Sequence, residues 1–362
     1  MAADNSANTG AGGCRLSVIV PVYNMAADDR LRHCMDSLTA QTLPPGTWEL
    51  IAVDDCSTDT SLQILRSYEA QYPELVRVIA SDRNRRQGGA KNLGLAQARG
   101  AWIGFIDADD WVTPDYYERL LAAAEAMGAD MAGCDYSLVD HYTFEPGQVV
   151  PNGKPEQSGV LDDVKYRSLL LDSGSLVVKI YRRHIIYGTE ESSGNVFPED
   201  IFYEDNAVCN TWMLRATCYA YVPEPLYFYY QHESSTVHAV SRRHLEDRVE
   251  SGRLMLSEAQ RGGYLERFRP ELEFIFTSLF YVNTLFTAMP WRNRFPGVFR
   301  FVGALAREQR EHFPAFADNP YYQARIHPEE RRLIAMQQRS NLLFYLYYRA
   351  LWCYRGLRRA CG

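Results

Sequence analysis

Acidic residues follow two apolar segments in the first third of this sequence. Five of them stand directly beyond these segments: Asp54, Asp55, Asp107, Asp109 and Asp110. If both segments are strands of one sheet, the carboxylates crowd one edge, where like charges repel unless a cation or hydrogen-bond donors compensate them. A divalent ion that bridges a diphosphate would meet that need, and hard oxygen ligands select Mg²⁺ or Mn²⁺ over zinc.

The spacing of the acidic residues indicates which of their carboxylates could act together. Residues i and i+2 of an extended chain point the same way, so Asp107 and Asp109 would present two carboxylates on one face. The alternative, that such acids are helix caps in solvated turns, suits Asp59 better. A second acidic pair, Glu204-Asp205, stands much later in the chain, and the alternative for Asp205 is a helix cap or a structural ion pair.

Two common nucleotide-binding motifs are absent. A dinucleotide-binding fold needs G-x-G-x-x-G after its first strand, because glycines let the backbone approach a pyrophosphate. This chain has Pro-Val-Tyr-Asn at 21–24, and it has no Walker A sequence. Gly88, Gly89 and Gly94 come after the third strand. They predict a tightly packed helix, with Lys91 either facing the sheet edge or solvated on the surface.

Alternating strand and helix patterns must position these groups. Continuous apolar runs predict strands, and helical spacing predicts the helices between them. Strands are predicted at 16–22, 50–53, 76–80 and 102–106, and helices at 29–42, 60–71, 88–98 and from a Thr113-Pro114 cap to Met127. Strands that are apolar throughout indicate an α/β fold with a mostly parallel sheet flanked by helices. Such sheets bind ligands beyond the carboxyl ends of their strands.

Length and composition exclude several classes. The chain has 362 residues, 46% of them hydrophobic, and a net charge of −7. It is therefore not a typical disordered protein, and no nucleic-acid partner is expected. Its eight cysteines include no CxxC pair, which argues against structural zinc and favours free thiols in a reducing compartment. No apolar run reaches the roughly 18 residues that a transmembrane helix needs.

Five segments, taken together in order and spacing, resemble glycosyltransferase family 2. They are Leu16–Asn24, Ser37–Thr42, Val53–Asp59, Gly89–Gly94 and Phe105–Asp110. The resemblance is strong over 16–136, weaker to about 240, and says little after that. It implies the GT-A fold of nucleotide-diphospho-sugar transferases and an inverting reaction.

Composition and the resemblance together predict a domain organisation. The small and polar residues 1–14 would be a disordered tail. The resemblance implies a GT-A domain at 15–240, with a donor half at 15–136 and an acceptor half at 137–240. Residues 241–362 would form a helical C-terminal extension.

Each residue that matches the family pattern acquires an implied role. Donor nucleotide binding would fall to Pro21, Tyr23, Asn24, Asp54, Asp55, Lys91 and Asp107. Asp54 would accept a hydrogen bond from a uracil ring, and Lys91 would contact nucleotide or phosphate. Asp109 would ligate Mn²⁺ or Mg²⁺, with Asp110 in support. On the acceptor side, Glu204 and Asp205 would be the catalytic acidic pair, with Asp205 as the general base.

Two positions depart from the family pattern. Cys56 stands where the family usually has Gly or Ser, which implies a slightly different turn. Lys91 stands where Arg is commoner, so a point charge replaces a planar fork. Farther on, His232 and His238 are either phosphate contacts or ordinary loop histidines.

The last segment combines arginine with apolar residues. From Arg331 to Gly362 there are seven Arg and no acidic residue, around an apolar stretch at 342–352. This pattern suits a helix at an anionic membrane surface. A core helix with arginines at its C-terminal end explains it equally well. The predicted location is therefore cytoplasmic, with peripheral contact at the inner face of the membrane under the first interpretation.

The sequence thus predicts a metal-dependent, inverting glycosyltransferase. It would move sugar from a nucleotide-diphosphate sugar, with UDP favoured, to a glycan or lipid-linked acceptor in surface polysaccharide or lipopolysaccharide synthesis. The absence of Gln-x-x-Arg-Trp favours non-processive transfer. One alternative is a sugar nucleotidyltransferase, which would need a glycine-rich basic loop after the first strand. The other is a non-catalytic glycan-binding module with a vestigial nucleotide site.

Overall fold

The computed structural model describes residues 13–172, 175–188, 196–231, 241–290, 293 and 295–360. The chain divides into two units, Met1–Glu233 and Ser234–Gly362. The predicted disordered tail lies outside the described residues as far as residue 12, and so do His232 and His238.

A single mixed sheet organises the described part of the first unit. Its strands are β1 (Leu16–Val22), β2 (Trp48–Asp54), β3 (Val76–Ala80), β4 (Trp102–Phe105), β5 (Trp111–Val112), β6 (Met131–Val139), β7 (Gln148–Val150), β8 (Gly159–Val160), β9 (Lys179–Arg182) and β10 (Cys218–Tyr230). The strand order is β3-β2-β1-β4-β9-β6-β10-β5, with β7 beside β6 and β8 beside β10.

Strand direction decides which loops can meet. β1, β2, β3 and β4 are mutually parallel, and β10 is parallel to β6. β9 is antiparallel to both β4 and β6, so β6 and β10 run in the same direction as β1. The mostly parallel sheet predicted from the apolar runs is confirmed. The carboxyl ends of six strands consequently share one edge.

Helices connect the strands of this unit. They are α1 (Arg30–Thr39), α2 (Ser61–Gln71), α3 (Arg86–Gln97), α4 (Tyr116–Met127), α5 (Asp163–Leu171), α6 (Arg183–Tyr187) and α7 (Cys209–Arg215). Every residue of β1 and β2 is buried, which explains their continuous apolar sequences. A Cβ on Gly94 would lie 2.6 Å from Cγ2 of Ile19, so α3 packs on β1 at a distance that only glycine allows.

The predicted start of α4 is wrong by two residues. The sequence pattern placed the cap at Thr113 and the first helical position at Pro114, but the helix begins at Tyr116, after Asp115. The backbone N–H of Thr113 donates to the carbonyl of Leu226 at 2.9 Å. Thr113 therefore extends the pairing of β5 with β10, and its hydroxyl donates to Oδ1 of Asp115 at 2.7 Å instead of capping the helix.

The second unit is helical in its described residues, as predicted. Its helices are α8 (Arg242–Arg261), α9 (Tyr264–Arg267), α10 (Arg269–Ile275), α11 (Asn283–Ala288), α12 (Val298–His312), α13 (Pro320–Arg325), α14 (Pro328–Arg339) and α15 (Asn341–Ala360), and a π-helical segment spans Phe276–Val282. In the part of the chain that the structure describes, none of the helices is long and apolar enough to cross a membrane.

The final helix, α15, has two different apolar sides. Phe344 and Tyr348 are buried, and the helix packs against α12 and α14. The large side chains at 342, 343, 346 and 347, three of them leucine and one tyrosine, are instead 47% to 58% exposed. One side of α15 thus belongs to the core of the second unit, and the other leaves an apolar surface uncovered by the described residues.

Candidate active site

The loops that carry the predicted site residues meet at one sheet edge. Residues 21–24 end β1, Asp54-Asp55 end β2, and the acids at 107–110 follow β4. Because these strands are parallel neighbours, their carboxyl ends lie side by side. The donor-side residues predicted from sequence are therefore brought together on the sheet.

The first two loops are tied to each other through Asn24. Its backbone N–H donates to Oγ of Ser57 at 3.0 Å, and its Oδ1 accepts from the backbone N–H of Thr58 at 2.8 Å. Asn24 adopts a left-handed conformation with φ of 54°. Pro21, near the end of β1, is buried, and Tyr23 is 44% exposed. Tyr23 therefore offers accessible surface at this edge.

Asp54 and Asp55 are both buried but are bonded differently. Oδ2 of Asp54 accepts from the backbone N–H of Ser57 at 3.1 Å, while its buried Oδ1 has no partner among the described residues. Oδ1 of Asp55 accepts from the backbone N–H of Arg85 at 2.8 Å, and burial raises the pKa of this carboxyl. Asp55 therefore anchors the entry to α3, while Asp54 keeps an unused acceptor at the sheet edge.

The departure at Cys56 has a backbone explanation. Cys56 adopts φ of 62°, the left-handed region that glycine occupies at least cost. The turn keeps a glycine-like conformation although the residue is not glycine, and the strain falls on the loop next to Asp54.

In the motif at 107–110, the first acid keeps an oxygen unused. The buried Oδ1 of Asp107 has no partner among the described residues. Burial raises the pKa of Asp107 to about 7, with Lys91 opposing the shift and Asp109 adding to it. Asp107 and Asp109 are thus close enough to repel. They lie in a turn closed by the backbone N–H of Asp110, which donates to the carbonyl of Asp107 at 3.1 Å, and not in the extended chain from which the shared face was predicted.

Asp110 is used by the fold itself. It is 1% exposed, and its carboxylate accepts hydrogen bonds from the Tyr227 hydroxyl and, at 2.9 Å, from the backbone N–H of Tyr230. Burial raises its pKa, and repulsion from Asp109 and Asp107 adds to the shift. Asp110 therefore fastens the motif to β10, which the sequence did not reveal.

Lys91 is not a surface residue, so that alternative from the sequence is wrong. It is 2% exposed, and its Nζ lies 2.6 Å from Oε1 of Glu204 and 3.2 Å from Oε1 of Gln87. Burial disfavours the ammonium, but Glu204, Asp107 and Asp205 together raise the pKa of Lys91 above its ordinary value. The Lys91–Glu204 ion pair joins the predicted donor half to the predicted acceptor half.

Helix α3 also holds the segment 196–206 that carries the acidic pair. The Asn92 side chain accepts from the backbone N–H of Phe197 at 2.9 Å and donates to its carbonyl at 2.9 Å. A Cβ on Gly88 would lie 2.2 Å from the carbonyl oxygen of Pro198. Sequence reasoning missed Asn92, although its place beside Lys91 in the Gly89–Gly94 block was the available signal.

Asp205 stands where the 196–206 segment turns into α7. Its carbonyl accepts from the backbone N–H of Cys209 at 2.9 Å, and its Oδ1 accepts from that of Asn206 at 2.9 Å. Burial and then the neighbouring Glu204 raise the pKa of Asp205, while Lys91 opposes the shift. Within the acidic pair, Glu204 forms the ion pair with Lys91, and Asp205 is the carboxyl whose pKa is raised.

The donor set fits a divalent ion that a ligand would help to hold. Within the described ranges, no group of three or more His, Cys, Asp or Glu residues forms a metal cluster. Mg²⁺ and similar ions are commonly held by one or two carboxylates plus substrate phosphates, so two acids suffice. Asp107 and Asp109 offer hard oxygen, and the unpartnered Oδ1 of Asp107 is the observation that favours a cation here.

Comparisons with known proteins show which family and which fold this chain resembles. Residues 17–159 match the model of glycosyl transferase family 2. Residues 1–349 of TarS from Staphylococcus aureus, a structure in complex with UDP-GlcNAc, superpose with a TM-score of 0.64 at 21% identity, over 92% of this chain and 91% of that one. The architecture is the GT-A type of nucleotide-sugar transferases, with a helical C-terminal region.

Sequence relatives define the family. EpsH of Bacillus subtilis (strain 168) is 30% identical over 275 residues, 71% of this chain and 73% of the relative. An Escherichia coli (strain K12) protein named uncharacterized glycosyltransferase YibD is 33% identical over 235 residues, and the match spans 64% of each chain. The chain belongs to glycosyltransferase family 2.

Proposed function

We propose that this protein transfers a sugar from a UDP-sugar to a hydroxyl group of a glycan or lipid-linked acceptor, in one inverting displacement. The observation that carries the proposal is the buried ion pair between Lys91 and Glu204, 2.6 Å apart, which joins the donor half to the acidic pair of the acceptor half. The two halves of the domain thus contribute to one site. A displacement needs this arrangement, because leaving group and acceptor act on opposite faces of the sugar.

The donor nucleotide binds along the ends of β1 and β2. The unpartnered Oδ1 of Asp54 accepts the imide N–H of uracil, a pairing that would relieve a buried acceptor. Pro21, Tyr23 and Asn24 form the neighbouring wall, and Asp55 shapes it through Arg85. The structural neighbour that holds UDP-GlcNAc makes uridine nucleotides the first to test.

A Mn²⁺ or Mg²⁺ ion would be held by Asp109 together with Asp107. The chemistry that such an ion supplies is neutralisation of the charge that develops on the departing diphosphate. Asp110 supports the pair from its hydrogen bonds to Tyr227 and Tyr230. Lys91 adds a fixed positive charge close to Asp107.

Asp205 acts as the general base. Its raised pKa increases its affinity for the proton that the acceptor hydroxyl must lose, and such positioned bases contribute about 10²–10⁴-fold in rate. Glu204 keeps Lys91 paired and charged, so we assign it positioning and not proton transfer. Transfer ends after one sugar or few, and the products are surface glycans.

A membrane contact is the second part of this proposal. The exposed leucines of α15 and the arginine-rich, acid-free sequence that contains it suit the anionic inner face of a bilayer. Peripheral contact there would bring a cytoplasmic domain to a lipid-linked acceptor.

The test measures UDP release from UDP-GlcNAc and a panel of other UDP-sugars in the presence of Mn²⁺, together with UDP binding by calorimetry. Asp205→Asn removes the base but keeps the shape of the side chain. It should lower UDP release by about 10²–10³-fold and leave UDP affinity unchanged. Glu156→Gln, at an exposed position, is the matched control and should behave as wild type.

The other readings of the sequence make different predictions in the same assay. Pyrophosphate release from UTP and a sugar 1-phosphate would identify a nucleotidyltransferase. UDP binding without any turnover, in wild type as in the variant, would leave a binding module. Normal turnover in Asp205→Asn would remove this residue as the base.

A further inference from the structure

An aromatic cluster lies beside the acid motif and is not used by the proposed chemistry. We call it the aromatic shelf and define it as His33, Trp111, Tyr142, Phe144 and Phe228. Trp111 follows Asp110 directly, and both Trp111 and Phe228 are buried against Val139. Tyr142 and Phe144 are 38% and 45% exposed, although both contact this buried base.

The exposed rings are held rigidly. Tyr142 stacks on His33 of α1 with centroids 3.9 Å apart and an interplanar angle of 9°. It also meets Trp111 edge-on at 5.0 Å, and Phe144 meets Phe228 edge-on at 5.8 Å. Both rings are thus partly exposed while aromatic neighbours hold their orientation, which is the preorganisation that a flat ligand surface needs.

The same segment lines a cavity with polar groups. The cavity measures about 400 Å³, within the usual range of ligand sites. Its polar lining comes from Asp140, His141, Thr143, Glu145, Gln148 and Gln231. The five shelf residues do not line this cavity. The cavity adjoins the shelf through Val139, which packs on Trp111 and Phe228 and also lines the cavity.

Position links this surface to the acid motif. The indole N–H of Trp111 donates to the carbonyl of Thr143 at 2.6 Å, and Gln231 follows Tyr230, whose N–H holds Asp110. The segment also leaves the carboxyl end of β6, which shares its edge with β1, β2 and β4.

The nucleobase is a poor candidate for this surface. β2, which carries Asp54, is four strands away from β6 in the sheet. At strand spacings of 4.8 Å that is roughly 19 Å. The shelf is therefore too far from Asp54 for one base to use both.

We propose that the aromatic shelf and its cavity bind a pyranose ring of the acceptor, an inference that rests on the transferase function proposed above. A pyranose has an apolar C–H face, which fits an aromatic ring, and a rim of hydroxyl groups, which fits carboxylate, amide and imidazole partners. Both features are present on one segment of chain, next to the acids that would receive the donor.

The experiment uses the full chain with saturating UDP and Mn²⁺. Saturation-transfer NMR would follow methyl β-D-glucopyranoside, methyl β-D-galactopyranoside and methyl N-acetyl-β-D-glucosaminide. We expect at least one to bind, Tyr142→Ala and Phe144→Ala to weaken it about fivefold, and Tyr142→Phe to retain it. Val164→Ala, at a position 74% exposed on α5, is the control and should bind as wild type. Glu145→Gln tests the polar wall without touching the rings, and we expect it to weaken binding too.

Each contrary outcome has a distinct meaning. No saturation transfer to any glycoside, with UDP still bound, overturns the shelf but not the transferase. The shelf also fails if Tyr142→Ala and Phe144→Ala leave glycoside binding unchanged, or if Tyr142→Ala weakens UDP instead. If the wild-type protein does not bind UDP, the donor proposal is overturned. Glycoside binding by the wild type and the Tyr142 and Phe144 variants, measured without UDP, would then still test the aromatic shelf.

Discussion

At the amino end of β2, Glu49 is 2% exposed and both of its oxygens accept hydrogen bonds, whereas at the carboxyl end Asp54 is equally buried with one oxygen unused. Oε1 of Glu49 accepts hydrogen bonds from the Ser17 hydroxyl at 2.6 Å and from the backbone N–H of Arg99 at 2.7 Å. Oε2 accepts a hydrogen bond from the Arg99 guanidinium at 2.9 Å. The fold can satisfy a buried carboxylate completely. At the carboxyl edge, Asp54 and Asp107 each keep one buried oxygen without a partner among the described residues, and these are the oxygens to which the proposed function assigns ligands.

The amino and carboxyl ends of the strands also differ in which residues adopt left-handed backbone conformations. Left-handed glycines precede β1, β2 and β6 at the amino end, namely Gly13, Gly46 and Gly128. Left-handed residues other than glycine lie in the loops of the carboxyl edge or in the segment before Glu204, namely Asn24, Asp28, Asp29, Cys56, Arg86, Asp200 and Tyr203. Strain of this kind is commonly stored at functional sites. The amino end is built for stability, and the carboxyl end gives up some stability for a site.

Among the substitutions that test this comparison of the two ends, we expect the largest effect from Asp109→Ala, and we expect it on transferase activity. Asp109→Ala removes a carboxylate from the carboxyl edge and should reduce UDP release from UDP-sugar by about 10²–10³-fold. A UDP-release assay checks this, and urea unfolding of the same preparation confirms that the variant is folded. Activity within twofold of wild type would sink the assignment of Asp109 to the metal.

The reverse pattern is expected at the amino end. Glu49→Gln breaks a fully bonded buried carboxylate and should lower the free energy of unfolding by about 2 kcal/mol. Turnover and UDP affinity should stay at the wild-type level, since no site residue contacts Glu49. A loss of turnover in folded protein would show that the two ends are not separate in function.

The two ends of β2 should also respond to pH with opposite signs. Burial opposes ionisation of Glu49, but bonds from Ser17 and Arg99 outweigh it and lower the pKa. Its stabilisation is therefore complete above its ordinary pKa of about 4.3 and is lost as the pH falls through the lowered value. Burial raises the pKa of Asp55, so its ionisation costs stability as the pH rises from about 4.

Urea unfolding of two variants from pH 3 to 8 separates these contributions. The deficit of Glu49→Gln should shrink toward pH 3. Asp55→Asn, which keeps an acceptor for the Arg85 N–H, should equal or exceed wild type at pH 7 and lose that advantage in acid. If the free-energy differences of the two variants from wild type changed with pH in the same direction, the predicted opposite pH responses of Glu49 and Asp55 would be wrong.

The smallest effect concerns the strained turn. Cys56→Gly should raise the free energy of unfolding by up to about 1 kcal/mol, because glycine accepts φ of 62° without a Cβ penalty. Cys56→Ala keeps the penalty and serves as the control. Thermal unfolding of both variants gives the answer, and equal midpoints would mean that the turn carries no strain.

Local pattern was sufficient for much of the fold. β1 and β3 have the bounds that their apolar runs predict, and the acids lie at the edge that parallel strands require. Non-local contacts were not accessible in this way. Nothing in the sequence near Asp110 indicates its bond to Tyr227, and nothing near Lys91 indicates Glu204, because these partners are brought together only by the sheet and by α3. β9 is another case, since its antiparallel insertion between β4 and β6 depends on pairing with both.

The most direct test of the proposed function is whether the unpartnered carboxylate oxygens at the carboxyl edge of the sheet form a nucleotide-binding site. Calorimetric titration with UDP, GDP and CDP, each with and without Mn²⁺, measures this directly for wild type, Asp54→Asn and Glu49→Gln. We predict that UDP binds in the presence of Mn²⁺, that Asp54→Asn abolishes or greatly weakens it, and that Glu49→Gln binds as wild type. Failure of all three nucleotides to bind, or UDP binding that is unaffected by Asp54→Asn, would contradict the account.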